Sequence, residues 1–182
     1  LDRTNISEMG TMGDSFGILS SLFASLALLL TIITNDNQTK QISELSKDRQ
    51  MQYYKQLYDL YFLDEKVSRA YYYFEHDMIS FFEKPLLEGR HGYWEIRDIE
   101  ISRVDLESSI DALLSTVDLT VRYINDGLIR HNEHFEYRLY NISSDVQILS
   151  YLKTLKIYNQ KQAIPFSPFP NLYGYLEKNG LI

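Results

Sequence analysis

From Ser15 to Asn35 the chain carries no charged residue, and Phe16 to Thr34 (FGILSSLFASLALLLTIIT) has only Gly, Ser and Thr among its apolar side chains. A helix of that length reaches across a hydrocarbon core of about 30 Å. A core helix of a soluble protein would show a polar stripe. Here the only hydroxyls belong to Ser and Thr, which can bond back to the preceding turn. The pattern predicts a transmembrane helix over 14–35. A signal peptide is the rival reading. It needs a basic start and a small-residue cleavage site, whereas this run has an acidic lead-in and a polar exit without A-x-A.

Periodicity after the span predicts more helix. Residues 36–52 are polar helix formers and read as a solvated helical stalk; the a/d pattern of a coiled coil fails after Leu45. Residues 53–84 carry Leu57, Leu60, Tyr61, Val67, Tyr71, Phe74, Met78, Phe81 and Phe82 at helical spacing. They read as one aromatic-faced core helix ended by Pro85. Gly89, Gly92 and Trp94 suggest a loop, and IRDIEI fits a short strand or a helix start. Ile110, Leu113, Leu114, Val117, Val121 and Ile124 mark a soluble helix over 103–126, with Ser102 as its cap and Asn125-Asp126-Gly127 as its stop. A further helix is expected from about Gly127 to Tyr140. The next starts at Ser144, with Gln147 completing a capping box and Leu149, Leu152 and Leu155 inside. Three of the four Pro fall in the tail, which reads as irregular. The expected class is all-α: a loop at 1–13, the span at 14–35, the stalk at 36–52, a helical domain at 53–164 and a tail at 165–182.

Within the span, Gly13, Gly17, Ser21 and Ser25 recur every four residues. On a helix they form a ridge of small side chains that lets another membrane helix approach closely. The expected partners are therefore the lipid bilayer and other membrane helices.

Charge adds a direction. Only Arg3 precedes the span, while Lys40, Lys47, Arg49 and Lys55 follow it, so the positive-inside rule places the C-terminal side in the cytoplasm. The net charge of -7 argues against direct nucleic-acid binding, which needs clustered cations. With no Cys there is neither a disulfide nor a thiolate metal site, in keeping with a reducing compartment.

Two spacings suggest chemistry. Arg69 and His76 in RAYYYFEH stand two helical turns apart and resemble the Arg-x4-6-His motif of the HEPN ribonucleases. In that family the pair serves 2'-hydroxyl attack and the developing phosphate charge. The usual polar residue after the Arg is replaced here by Ala70, and the plain reading is a surface ion pair of Arg69 with Glu65 or Asp77. His131 and His134, near Glu133 and Glu136, have a spacing that can hold a metal on a helix, but HExxH is missing and the default is a solvated edge. No metal and no cofactor are expected. A phosphate loop and a GxSxG elbow are both absent from the sequence.

The segment GDSFGILSSLFASLALLLTII resembles the opening of the phage abortive infection protein family, whose members carry a G-D-S-F-G-x-x-N-x-L-F-S-x-L-A-F-like membrane segment. Gly13, Asp14, Ser15, Phe16, Gly17, Leu22, Phe23, Leu26 and Ala27 match. Ser20, Ala24 and Leu28 depart from it. YRLYNISSDVQILSYL is similar to a late helical segment of that family. The resemblance implies an antiviral effector of the bacterial inner membrane, toxic to the infected cell, with no catalytic residues. Some relatives are encoded beside retron reverse transcriptases. It further implies a preceding membrane helix, a cytoplasmic helical domain, and a defence-system partner such as a reverse transcriptase–RNA complex. A membrane-tethered ribonuclease and a non-toxic scaffold or adaptor are the alternatives.

Overall fold

The computed structural model describes residues 3–83, 92–97, 101–130, 133–165 and 167–182, with side chains from Phe16 onward except at 133 and 134. Helices dominate, so the all-α expectation holds, with one small hairpin added. The chain divides into two units, Leu1–Asp48 and Arg49–Ile182.

The first unit lies within α1 (Arg3–Tyr58). Residues 3–13, expected as a loop, are already helical from Arg3. From Phe16 to Asp48 every side chain is exposed. Four of the hydroxyls bond back within the helix: Ser21 donates to the Ile18 carbonyl, Ser25 to Ser21, Thr31 to Ala27 and Thr34 to Leu30, at 2.8–3.1 Å. Bonding of this kind removes much of the cost of carrying hydroxyls in an apolar medium.

In the second unit the long aromatic helix expected over 53–84 is broken. α1 passes into a π turn, Asp59–Leu63, closed by an i→i+5 bond from Asp64 N–H to the Asp59 carbonyl at 3.0 Å. Asp64 then turns extended, and its carboxylate accepts the N–H groups of Lys66 and Val67 to start α2 (Glu65–Glu75). A short acidic side chain that bonds local N–H groups competes well with helix continuation. Phe81 and Phe82 lie not on a helix but in β1 (Ile79–Glu83), just after Met78. Trp94, expected in a loop, lies in β2 (Gly92–Ile96). The strands pair antiparallel, with Ile79 opposite Ile96 and Phe81 opposite Trp94. Gly92 is required there, because a Cβ would stand 2.3 Å from the Phe81 ring and 2.8 Å from the Phe82 carbonyl. Pro85 and Gly89 fall outside the described residues.

α3 (Arg103–Asn125) is as expected. The Ser102 hydroxyl accepts from Asp105 N–H, and Gly127 sits at φ +66 beyond the end. The next two helices shift. α4 is Glu133–Ser144, and α5 (Val146–Lys161) is capped by Asp145, whose carboxylate accepts from Ile148 N–H, rather than by Ser144. Gln147 is drawn away from the expected box: its side-chain carbonyl accepts the Phe81 N–H at 2.7 Å and closes an edge of β1. The tail is not irregular. Pro170–Lys178 forms α6, with proline in its first turn, where a missing N–H costs nothing. No local side chain caps it. Asp118 of α3 does so instead, accepting from Leu172 N–H at 2.7 Å and from the Asn171 amide at 2.9 Å. The core gathers around α3: Ile110, Leu113, Leu114 and Val117 are fully buried, as are Leu152, Leu172 and Leu176 from α5 and α6.

Four helices stop by one device. After α2, α3, α5 and α6 the second residue beyond the cap donates back to the third-last helical carbonyl: Met78 to Tyr73, Leu128 to Tyr123, Ile164 to Asn159 and Leu181 to Leu176. Such endings need a left-handed residue between. Gly127 and Gly180 supply it without strain, whereas Ala163 is held at φ +52. Replacing Ala163 with Gly is expected to stabilise the unit by roughly 0.5–1 kcal/mol, since the Cβ clash exceeds the entropy glycine adds to the unfolded chain. A lower denaturation midpoint in the A163G protein would contradict this.

Buried side-chain polar atoms among the described residues all have partners. The Tyr61 hydroxyl lies 3.0 Å from Thr120, and Tyr173 donates to the Leu152 carbonyl at 2.8 Å. Burial pushes the Tyr61 hydroxyl up to about 12, with the Thr120 bond opposing it. Burial likewise raises Asp111, which accepts from Tyr151 at 3.4 Å. An acid raised by folding binds more protons folded than unfolded, so its contribution to stability falls as pH rises through the carboxylate range. Asp111→Asn should therefore leave the protein at least as stable at pH 7 and flatten the decline between pH 4 and 6. Unfolding curves across that window check it, and an unchanged slope would refute the assignment.

Candidate functional site

Gly17, Ser21 and Ser25 lie on one exposed stretch of α1. At Gly17 a Cβ would meet nothing within 4 Å, and the Ser21 and Ser25 hydroxyls are turned onto their own helix. What the stretch offers outward is small side chains, the Ser21 and Ser25 donors being satisfied, bordered by Ile18 and Leu22, each more than half exposed. Gly13 lies in the same helix, ahead of the residues whose side chains are described. The chemistry available is close helix packing, with the apolar flanks left to a surrounding apolar phase.

Arg69 and His76 are not drawn together by any shared bond or group. Arg69 forms the expected ion pair with Glu65 one turn away. His76 is the residue beyond the end of α2, with φ -107, and its ring stands edge-on to Tyr72 at 4.2 Å. The helix that would have kept the two in phase ends at Glu75. His131 lies outside the described residues, and nothing of the His134 side chain is described. Among the described residues no group of three metal-ligating side chains occurs.

Two features escaped the sequence. A cleft of about 680 Å³ opens between α3, α4 and α6, with Val121 and Leu139 buried at its base, Tyr140 and Tyr175 beside them, and Glu136 and Lys178 lining it with opposite charge. The other is a cation on an aromatic bed. The Arg138 guanidinium carbon of α4 lies 4.0 Å from the Tyr71 ring centroid, 4.2 Å from Phe62 and 5.5 Å from Tyr61. The partners come from α2 and the π turn, far from Arg138 in sequence, so no local spacing announces the contact. The α4 pattern EYRLY shows only that a cation stands among aromatics.

No family model, no curated protein and no solved structure matches this chain. What geometry adds is one helix long and apolar enough to cross a membrane among the described residues, and a helical unit beginning at Arg49.

Proposed function

We propose that the chain is a membrane-anchored effector of bacterial anti-phage defence, with its helical unit in the cytoplasm binding a partner and its span acting in the inner membrane. One observation carries the membrane half: the apolar stretch Phe16–Thr34 is helical and exposed along its whole length, so its side chains find cover in lipid or in another membrane helix. The Lys and Arg excess after the span supports the orientation. The defence half rests on the resemblance of residues 13–27 to the abortive infection family, which also suggests a reverse transcriptase–RNA complex as the partner.

Expression in a phage-sensitive host tests the reading. Infected cells should lose membrane potential, reported by a voltage-sensitive dye, while bulk RNA stays intact, and plaque numbers should fall. RNA cleavage before depolarisation would instead favour the ribonuclease. Unchanged plating and potential would reject the effector reading.

A further inference from the structure

We propose that the surface formed by Tyr58, Phe62, Tyr137 and Arg138 docks a partner protein through an acidic side chain flanked by apolar ones. This deepens the partner-binding half of the reading above and rests on it only there.

The centre of the surface is Arg138, half-buried, with its guanidinium held against the Phe62 and Tyr71 rings. A guanidinium carries five N–H donors in a planar fork that matches a carboxylate. Among the described residues the carboxylates within ion-pairing distance of a cation serve Lys40, Arg69, Arg103, Arg122 and Lys156, and none serves Arg138. The nearby polar groups are otherwise engaged or distant: the Tyr71 hydroxyl bonds to Asn141, and the Glu75 charge reaches Tyr71 without pairing to Arg138. A cation partly stripped of water by aromatic faces and lacking a counter-charge gains most from an incoming anion.

The surroundings say what should carry the anion. Tyr58 stacks on Phe62 at 4.6 Å, and both stay exposed, at 53% and 43%. Tyr137, next to Arg138, is 60% exposed. The π turn makes this possible: its extra residue lets Tyr61 enter the core while Phe62 stays outside. Tyr and Arg set in an apolar surround are the composition of interface hot spots. A nucleic acid is a poor fit, because one cation on a chain of net charge -7 cannot neutralise a run of phosphates. The occupant is therefore a protein segment bearing a carboxylate beside apolar side chains.

The test uses the full chain in lipid nanodiscs, panned with a random peptide display library. Enriched peptides should carry Asp or Glu next to Leu, Ile or Phe, and should bind about tenfold or more weakly to Arg138→Gln and to Tyr58→Ser. Ile157→Ser, at a half-exposed position of α5, should bind as the unaltered protein does. Because Arg138 also ties α4 to its neighbours, Tyr58→Ser carries the decision if Arg138→Gln unfolds. Four results would overturn the proposal: no enriched peptide, enriched peptides without an acid, equal binding by the Tyr58 variant, and displacement of the peptides by an oligonucleotide. A nanodisc dimer closed through this face, with peptides excluded, would also overturn it in favour of self-association.

Discussion

A chain ending at Ile164 is expected to lose the folded second unit altogether. The segment removed brings Phe169, Leu172, Tyr173 and Leu176 into the core, with no more than 7% of any of them exposed. Burying such side chains contributes roughly 1.5–3 kcal/mol each, so the four together supply about 6–12 kcal/mol. Total stabilities of domains are only about 5–15 kcal/mol. Two further losses add to this. The Leu152 carbonyl loses its bond from Tyr173, and Asp118 loses both groups it caps. The full chain in detergent should show a cooperative thermal transition and a protease-resistant fragment beginning near Arg49, and the truncated chain should show neither. Leu172→Ala is the graded version, expected to cost about 2–5 kcal/mol as a cavity in a filled core. A truncated chain that kept a resistant fragment and a cooperative transition would show α6 to be an accessory.

That the tail read as irregular has a physical explanation. Its prolines signal interruption, yet Pro170 begins a helix, and the cap for that helix is Asp118, supplied by another element. Local sequence shows neither half of that arrangement. The break at Asp64 was hidden differently. Leu60, Val67, Tyr71 and Phe74 keep a helical spacing across it, whereas the residues buried before the break are Leu57 and Tyr61, the latter six positions ahead of Val67 and out of phase with it. The hairpin was hidden by its length. Five residues such as ISFFE satisfy either period when the run is aromatic throughout, and the pairing partner Trp94 lies beyond an intervening loop. Local signals were enough elsewhere. The uncharged run of the span, the Ser102 cap and the Gly127 stop each act within one or two turns, and each was legible. Of the candidate residues, Gly17, Ser21 and Ser25 fall on one helix, as their spacing predicts. The Arg138 clamp could not be read, since three elements build it.

Gly17→Leu is expected to abolish association within the membrane and phage protection while leaving the protein in the membrane at normal levels. At Gly17 a Cβ would meet nothing within 4 Å apart from the backbone of its own turn, as at any exposed helical position, so a larger side chain is accommodated there. Leucine also favours helix over glycine by about 1 kcal/mol and keeps the span apolar. Folding and insertion of α1 are therefore unharmed, and any loss must arise between helices. There the effect is large, because membrane helices gain little by burying apolar surface from lipid that is equally apolar. Close backbone approach over small residues supplies the attraction, and a bulky side chain holds the backbones apart. Ser21→Leu should act alike, since the Ser21 hydroxyl bonds only to its own helix. Phe23→Leu, on another face and 64% exposed, should be tolerated. Crosslinking in native membranes and plaque assays read the two outcomes separately. Should Gly17→Leu preserve both the crosslinked species and protection, the ridge is ordinary lipid-facing sequence, and helix packing is not how this span acts.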